Sequence, residues 1–220
     1  MLALPVGAAE NPTAGQVDQH VRGDHPRHHE HPESDVVRGG GFTLWFTGLS
    51  GAGKTTIAHL VGPELDRRGH IVEYLDGDTV RTHLSKGLGF SKEDRDTNIE
   101  RIGWVAARLT RHGGAVIAAA ISPYDETRRH AREMVEEFGP FVEVFVKASV
   151  EECARRDVKG LYAKAFAGEI KGFTGVDDPY EVPDDAEIVI DTEQHEPEES
   201  ARLIVARLEE LGLVGTEVAV

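Results

Sequence analysis

The sequence predicts an α/β fold: a parallel β-sheet flanked by helices on both faces, with a mobile lid. Two observations predict it. From Gly41 onward, short apolar runs alternate with longer segments of helical periodicity, which is the pattern of parallel strands joined by crossover helices. A glycine-rich segment, residues 48–56, follows the first apolar run at the position where a strand is expected to be followed by a helix.

The individual elements follow from local periodicity. Between Thr97 and Arg111, for example, Ile99, Ile102 and Ala106 fall on one helical stripe that predicts a core face. The predicted strands are residues 42–47, 71–75, 115–121, 141–147 and 187–191, and the predicted helices are residues 55–68, 97–111, 124–138 and 197–212. The segment 150–156 also has a helical pattern.

The beginning of the chain differs in composition from the rest. Residues 1–40 are rich in Pro, Gly, His and charge, with almost no apolar periodicity, so they cannot bury enough surface to offset the entropy of ordering. We therefore predict a disordered tail over 1–40, one folded domain over 41–214 and a short tail over 215–220. Four histidines of the first tail could bind a transition metal, but a solvated tail is favoured because no cysteine and no rigid scaffold accompany them. These are His25, His28, His29 and His31.

Charge and cysteine content exclude several functions. The formal net charge of -15 predicts that the chain binds neither a nucleic-acid polymer nor an anionic membrane surface, because its field repels polyanions. Cys153 is the single cysteine, so an intrachain disulfide is excluded, and its helical setting predicts a small packed residue. No apolar run is long enough for a membrane span or a secretory signal, and we expect a cytoplasmic protein.

The segment 48–56 reads Gly-Leu-Ser-Gly-Ala-Gly-Lys-Thr-Thr and fits the phosphate-binding loop G-x-x-x-x-G-K-[ST]. Its glycines allow backbone conformations in which successive N–H groups converge on phosphate oxygens. Lys54 is expected to reach the β and γ phosphates, and the Thr55 hydroxyl is expected to coordinate Mg²⁺. The fold class is thus an α/β sheet of the P-loop NTPase type, and ATP and Mg²⁺ are the expected co-substrate and metal.

Acidic residues follow the second predicted strand, in the segment Asp76-Gly77-Asp78. Because ligands bind at the carboxyl ends of parallel strands, these carboxylates are expected near the phosphate loop. We predict Asp78 as the catalytic acidic residue, acting on an attacking hydroxyl and on the Mg²⁺ shell, with Arg81 holding an anionic group. The alternative is a solvated turn with a helix N-cap, which the nearby phosphate loop disfavours.

The end of the third strand, Ile121 to Tyr124, lacks the acidic residue of a typical ATPase, which favours a small-molecule kinase over a motor.

In the segment 88–98, Phe90 could stack on a base while Arg95 and Asn98 bind anionic or ribose oxygens. A helix cap at 91–94 with Phe90 as a hydrophobic staple explains the same residues equally well.

A lid is predicted over residues 158–176, where four glycines and three lysines occur. Phe173 in this lid offers a second aromatic ring, so that two rings on opposite sides would sandwich a purine.

The chain closely resembles the adenylylsulfate kinase family, which phosphorylates the 3'-hydroxyl of adenosine 5'-phosphosulfate with ATP. The motifs that carry the resemblance run in family order and cover the whole predicted domain. They are Phe46-Thr-Gly-Leu-Ser-Gly-Ala-Gly-Lys-Thr-Thr56, Asp76-Gly-Asp-x-x-Arg81, Gly89-Phe-Ser-x-x-Asp-Arg-x-x-Asn98, Ile121-Ser-Pro-Tyr124, Arg156-Asp-x-Lys-Gly-Leu-Tyr162 and Lys171-Gly-Phe-Thr-Gly-x-Asp-Asp-Pro-Tyr-Glu181.

The resemblance implies the roles of individual residues. The nucleotide adenosine 5'-phosphosulfate would be bound by Asp76, Arg81, Phe90, Arg95, Asn98, Ile121, Ser122, Lys159, Leu161 and Phe173, with Phe90 and Phe173 sandwiching its adenine. ATP would be bound by Gly48, Ser50, Gly51, Ala52, Gly53, Lys54, Thr55, Thr56, Arg156 and Thr192. Lys54 and Asp78 would be catalytic, and Thr55 and Asp78 would contact the metal. Ser122 matches a serine that can form a phosphoenzyme in the family, although a bystander role is favoured for catalysis.

The resemblance further implies a homodimer and a separate ATP sulfurylase that supplies the substrate. Thr79 and Asp125 depart from the commonest family pattern, and Asp125 would disfavour an anionic nucleotide unless it points to solvent or pairs with Arg128 or Arg129. Two alternatives stay open: a phosphoryl-transfer enzyme with another acceptor, and a non-catalytic nucleotide-binding subunit. Acceptor specificity separates the first from the main hypothesis, and loss of activity in a homogeneous sample would support the second.

Overall fold

The structure is a computed structural model, and it describes residues 40–157 and 159–215. The predicted tail over 1–40 lies outside the described residues except for Gly40, as do the four clustered histidines and most of the tail predicted over 215–220. The strands of the described part are Phe42–Thr47 (β1), Ile71–Asp76 (β2), Gly114–Ala119 (β3), Phe141–Lys147 (β4) and Ile188–Asp191 (β5). Its helices are Lys54–Arg67 (α1), Gly77–His83 (α2), Lys92–Arg111 (α3), Asp125–Glu136 (α4), Val150–Arg156 (α5), Leu161–Phe166 (α6) and Pro197–Glu210 (α7).

The strands form one parallel sheet in the order β2-β3-β1-β4-β5. The central strand β1 pairs with β3 on one side and β4 on the other, so that Leu44 lies opposite both Ile117 and Val142. From β1 the chain crosses to the edge strand β2, and it later continues on the opposite side with β4. The order therefore reverses beside β1, and the crevice outside the carboxyl ends of the strands at such a reversal is where ligands bind.

Each face of β1 supports its own core because side chains alternate along a strand. Phe42, Leu44 and Phe46 belong to a buried cluster that includes residues of α1 and α7. Trp45 belongs to the opposite cluster, which includes residues of α3 and α4. The predicted doubly covered sheet is thus confirmed, and both cores hold the carboxyl ends of the strands in place.

The observed boundaries differ from the predicted ones in informative places. The strand β3 ends at Ala119 because the next residues leave the sheet in a tight turn at Ser122. The helix α3 begins at Lys92 rather than Thr97, since Ser91 Oγ accepts a hydrogen bond from the Asp94 N–H at 3.2 Å and caps it. The short helices α2 and α6 were not predicted. No helix within 40–157 or 159–215 is long and apolar enough to cross a membrane.

Candidate active site

The glycine-rich segment after β1 is a loop that turns at three glycines. Gly48, Gly51 and Gly53 have φ values of 137°, 78° and 106°, a region that residues with a Cβ atom rarely adopt. A Cβ atom on Gly48 would lie 2.4 Å from the carbonyl oxygen of Val146. Because Gly53 directly precedes α1, the loop leads into a helix N-terminus, where free backbone N–H groups bind anions.

Lys54, the first residue of α1, folds back over this loop. Its Nζ donates hydrogen bonds to the carbonyl oxygens of Gly48 and Leu49 at 2.9 and 2.8 Å, and the residue is buried. Burial lowers the pKa of Lys54 to about 8, and the charges of Cys153 and Asp76 oppose that shift. The ammonium group is thus held at the loop that is predicted to bind the phosphates.

Asp76, the last residue of β2, connects α1 to α2. Its Oδ2 accepts a hydrogen bond from Thr55 Oγ1 at 3.1 Å, and its Oδ1 accepts one from the Asp78 N–H at 2.9 Å, which caps α2. The helix N-cap weighed as an alternative for this segment is therefore present, together with a carboxylate at the phosphate loop. We predicted from the sequence that Thr55 and Asp78 contact the metal. In the structure, the carboxylate next to Thr55 is that of Asp76.

Asp78 instead contacts the lid. Its Oδ2 lies 2.5 Å from the Nζ of Lys159, and both side chains are largely exposed. Lys159 precedes α6, which lies inside the segment predicted as a lid. One acidic residue of the Asp-Gly-Asp segment therefore contacts the phosphate loop, and the other contacts a lysine more than eighty positions away in sequence.

Arg81 and Phe90 lie together beyond α2. The Arg81 guanidinium is 4.6 Å from the centre of the Phe90 ring and donates to the Gly89 carbonyl oxygen at 3.0 Å. Phe90 is 69% exposed, so its ring is not a buried staple. Burial lowers the pKa of Arg81, and the charge of Arg95 lowers it further, which means that two cations lie close enough to repel each other. An anion between them would relieve this repulsion.

Arg95 joins α3 to the lid. Its Nη1 donates to Thr174 Oγ1 at 2.9 Å and to Asp178 Oδ2 at 2.6 Å, and its Nη2 donates to the Gly172 carbonyl oxygen. The same Asp178 oxygen accepts a hydrogen bond from the Tyr124 hydroxyl at 2.9 Å. Asp178, which the sequence did not single out, thus connects α3, the lid and the turn after β3.

Asn98 lies on α3, and Ile121 lies in the turn after β3. Asn98 is buried on α3, and its Oδ1 atom has no hydrogen-bond partner among the described residues. A buried polar atom without a partner is unusual and fits a residue that binds a ligand. Ile121 is half-buried, and its carbonyl oxygen accepts a hydrogen bond from Thr47 Oγ1 at 2.8 Å, which fixes the end of the turn.

Ser122 adopts a strained conformation in this turn. Its φ is 40°, a value that residues other than glycine rarely adopt and that costs about 1–3 kcal/mol. The buried hydroxyl accepts a hydrogen bond from Trp45 Nε1 at 3.1 Å and lies 3.0 Å from Thr47 Oγ1. Phosphorylation at Ser122 would require this hydroxyl to leave the core, which disfavours a phosphoenzyme.

A charged network that the sequence did not predict lies beneath this turn. Arg128, only 1% exposed, donates to the Ser122 carbonyl oxygen at 2.9 Å, and its Nε lies 2.8 Å from Oε1 of buried Glu143, without the alignment of a hydrogen bond. Burial raises the pKa of Glu143, and the charges of Arg128 and Arg132 oppose the rise. Arg132 makes a two-point contact with Glu187 at 2.8 and 3.0 Å.

Asp125 pairs with both arginines that the sequence analysis gave as its possible partners. Its Oδ2 lies 2.9 Å from Arg129 Nε, and its Oδ1 lies 3.5 Å from Arg128 Nη2. The backbone N–H of Asp125 donates to Glu181 Oε2 at 2.7 Å. The carboxylate that departs from the common family pattern is therefore compensated by cations.

A cavity of about 670 Å³ borders the phosphate loop and is lined by Gly51, Ala52, Gly53, Thr56, Arg156 and Thr192 among others. Arg156 donates to Thr192 Oγ1 at 3.1 Å and to its carbonyl oxygen at 2.9 Å. Thr192 Oγ1 in turn donates to the Ala52 carbonyl oxygen at 3.0 Å. Six of the ten residues predicted to bind ATP thus line one cavity, whereas Gly48, Ser50, Lys54 and Thr55 are not part of its lining.

The lid is attached to the phosphate loop through α6. Asp157 accepts hydrogen bonds from the Tyr162 and Ala163 N–H groups, both at 3.1 Å, next to half-buried Leu161. The Tyr162 hydroxyl donates to the Ser50 carbonyl oxygen at 2.9 Å, and its ring contacts that of Phe173 with the centres 4.9 Å apart. The described ring contacts bring Phe90 and Phe173 to different partners, Arg81 and Tyr162, so their sandwich stays a prediction.

A parallel sheet with a phosphate loop after β1, carboxylates after β2 and a cationic lid defines a P-loop kinase of small molecules. The family model described as "Adenylylsulphate kinase" matches residues 40–191, and the chain belongs to this family. It is 58% identical over 174 residues to the adenylyl-sulfate kinase of Picosynechococcus sp., an alignment that covers 79% of this chain and 97% of that relative. The chain is therefore an ATP-dependent phosphotransferase by family.

Solved structures agree with this assignment. The Mycobacterium tuberculosis APS kinase in complex with AMPPNP and APS is 44% identical with a TM-score of 0.74, and the match covers 77% of this chain and 98% of that one. A hexameric APS kinase from Thiobacillus denitrificans is 41% identical with a TM-score of 0.62, covering 80% of this chain and 30% of that one. The predicted fold and family are confirmed.

Proposed function

We propose that the chain transfers the γ-phosphoryl group of ATP to the 3'-hydroxyl of adenosine 5'-phosphosulfate, giving ADP and 3'-phosphoadenosine 5'-phosphosulfate. The observation that carries this proposal is the chain of contacts at the carboxyl ends of β1 and β2. Thr55 contacts Asp76, Asp76 caps the helix that carries Asp78, and Asp78 pairs with Lys159 of the lid. These contacts join a phosphate-binding loop, an acidic residue and a lid cation, which are the groups that phosphoryl transfer needs near the reacting phosphate.

The residues present fit a Mg²⁺ ion. The Thr55 hydroxyl and the Asp76 carboxylate are 3.1 Å apart beside the phosphate loop. No group of three or more His, Cys, Asp or Glu side chains in the described part of the chain could hold a metal by itself. Mg²⁺ suits such a site, because it keeps several waters and binds through one or two protein oxygens together with phosphates. We therefore propose Thr55 and Asp76 as its nearest protein groups, with Asp78 contributing through the water shell.

The bound ion would neutralise charge on the β and γ phosphates. Lys54 would bind the same phosphates, and Asp78 would orient the attacking 3'-hydroxyl and accept its proton. The new O–P bond forms as the bond between the γ phosphorus and the bridging oxygen breaks, and ADP leaves with the negative charge. Lys159 would stabilise the charge on the transferred group, and lid closure would exclude water as a competing acceptor.

The two nucleotides would occupy opposite sides of the phosphate loop. ATP would place its base in the cavity bordered by Arg156 and Thr192. Adenosine 5'-phosphosulfate would bind between α2 and the lid, where the positive charges of Arg81 and Arg95 lie close to each other. The buried Oδ1 of Asn98, which lacks a protein partner, would accept a hydrogen bond from this nucleotide.

Further parts of the proposal concern the setting of the reaction. We infer that a separate ATP sulfurylase supplies the sulfated nucleotide, because an adenylated sulfate must be made before it can be phosphorylated. A homodimer remains our prediction from the family resemblance. We also keep the cytoplasm as the predicted location, which the single, buried cysteine suits because it forms no disulfide.

The test is steady-state phosphoryl transfer from MgATP by the purified chain, with adenosine 5'-phosphosulfate, AMP, adenosine and shikimate as acceptors. We expect transfer selective for the sulfated nucleotide, and a kcat lower by about 10²–10⁴ in Asp78→Asn. Asp66→Asn, which removes an exposed carboxylate near the far end of α1, is the matched control. Transfer to another acceptor would overturn the substrate assignment, and no transfer at all would favour a nucleotide-binding subunit.

A further inference from the structure

The turn after β3 is held by charge, not only by packing. Ser122 lies in it with a φ of 40° and is buried, so surrounding groups must hold it in this conformation. Its side chain contacts Trp45 and Thr47, but its carbonyl oxygen is bound by the guanidinium of Arg128 at 2.9 Å. Arg128 comes from the first turns of α4 and is 1% exposed.

An arginine buried to this degree is costly unless its charge is compensated. Glu143, in the middle of β4 and also buried, provides the compensation at 2.8 Å from Nε. A buried ion pair of this kind is weak evidence for stability, because apolar residues of similar volume often fold as well or better. If the pair instead fixes the conformation of the Ser122 turn, the presence of two charges at a position suited to apolar side chains is explained.

The turn also contacts the phosphate loop and the segment that follows the lid. The Gly48 N–H, in the phosphate loop, points to the Ile121 carbonyl oxygen at 3.5 Å. The Glu181 N–H donates to the Pro123 carbonyl oxygen at 2.8 Å, and the Tyr124 hydroxyl binds Asp178. A displaced Ser122 carbonyl would therefore shift a wall of the acceptor site between the phosphate loop and the lid.

We propose that the buried Arg128–Glu143 pair is a positioning device for the acceptor nucleotide: it fixes the strained Ser122 turn and so shapes the wall against which the acceptor binds. This inference rests on the proposed function, since it assigns the wall to the acceptor side. Arg128 and Glu143 are positioning residues, because neither is placed in contact with a substrate.

The test removes both charges at once. In the double variant Arg128→Met/Glu143→Met no new unpaired charge is created, because Arg132 keeps Glu187 and Asp125 keeps Arg129. We expect a melting temperature close to that of the wild type, a KM for adenosine 5'-phosphosulfate raised by about tenfold or more, and a KM for ATP unchanged within about twofold, since small displacements of a site wall weaken binding selectively. Arg128→Lys keeps the charge but cannot bind Ser122 and Glu143 in the same forked geometry, and we expect an intermediate KM.

Arg129→Met is the matched control, since Arg129 is an exposed arginine of the same helix that also pairs with Asp125. An unchanged KM for the acceptor in the double variant would overturn the proposal, and so would a double variant that fails to fold or that loses both substrates equally. Failure of the proposed function is distinguishable, because the wild type itself would then show no transfer to the sulfated nucleotide.

Discussion

Lys159 pairs with Asp78 at 2.5 Å, and this contact links the lid to the helix after β2. Both side chains are more than 60% exposed, so water screens the pair and it contributes little to the stability of the fold. Its significance lies in position: the lysine is held beside the carboxylate that we assign to the attacking hydroxyl. The lid cation is thus paired directly with the carboxylate that we propose as the proton acceptor.

Replacing Lys159 is therefore expected to affect catalysis without affecting folding. We expect Lys159→Ala to lower kcat by roughly 10²-fold, because a cation near the transferred phosphoryl group is lost, with the melting temperature unchanged. Lys164→Ala, which removes an exposed lysine of α6 in the same lid, should behave like the wild type. Steady-state kinetics and thermal unfolding measure both effects. A large fall in melting temperature for Lys159→Ala would show that the pair is structural.

The pH dependence of ATP use follows from the burial of Lys54. Its pKa is lowered from the usual 10.5 to about 8, so the free enzyme loses this positive charge as pH rises above 8. We expect kcat/KM for ATP to fall about tenfold per pH unit above that value, because this ratio reports the ionisation of the free enzyme. Kinetics between pH 6 and 10 test this. A flat profile to pH 10 would contradict the assignment of Lys54.

The same shift has a consequence for stability. Because the folded pKa lies below the unfolded one, the buried charge destabilises the fold fully below pH 8, and this penalty is lost as pH rises towards 10.5. Lys54→Met removes the penalty, so the variant should lose this part of the pH dependence of unfolding. Denaturant unfolding of both proteins at pH 7 and pH 9.5, without nucleotide, measures the difference.

Much of this architecture was predictable from local sequence. The phosphate loop, the positions of the strands along the chain and the long helices follow from periodicity and one motif, and the structure differs mainly at their ends. The helix α2 was missed because seven residues beginning with Gly77 resemble an Asp-Gly turn, although Asp76 followed by an acidic first turn is a helix start signal that could have found it. The helix α6 was missed because Gly160, with a φ of 65°, and the surrounding glycines suggested an irregular lid.

The charged network beneath Ser122 could not have been predicted in the same way. Arg128 and Arg132 belong to a helix full of charged residues, where a single sequence indicates a solvated face. Arg128 is buried and Arg132 is partly buried because the helix packs against β4, which carries Glu143. A lone glutamate within the apolar run 141–147 is the one signal in the sequence, since an uncompensated charge there would be too costly.

The contact between the lid and the phosphate loop at Tyr162 gives a further prediction. Burial raises the pKa of Tyr162, so its hydroxyl stays protonated and donates to the Ser50 carbonyl oxygen. Tyr162→Phe keeps the buried ring and removes the hydroxyl, with its contacts to Ser50 and Cys153. We expect a loss of about 1 kcal/mol in the free energy of unfolding and a weaker affinity for an ATP analogue. Calorimetric titration and denaturant unfolding test this. Unchanged affinity would show that the lid does not shape the loop.

Asp178 provides the most selective test of the acceptor side. Its carboxylate binds Arg95 at 2.6 Å and Tyr124 at 2.9 Å, and Arg95 is largely buried. Asp178→Asn removes the charge that compensates this arginine, and we expect the unfolding free energy to fall by about 1–3 kcal/mol. The orientation of Arg95 would also be lost, so the KM for adenosine 5'-phosphosulfate should rise by about tenfold while the KM for ATP stays near its original value.

Asp184→Asn is the control for this variant, because it removes an exposed carboxylate from the same connection between the lid and β5. Limited proteolysis adds a second measurement, since a lid released from α3 should be cut faster by trypsin at its exposed lysines within residues 159–171. A tighter acceptor affinity in Asp178→Asn would contradict positioning and would mean that Asp178 competes with the acceptor for Arg95. Equal losses for both nucleotides would instead mean that the contact supports the fold as a whole, because only a local displacement of Arg95 can separate the two substrates.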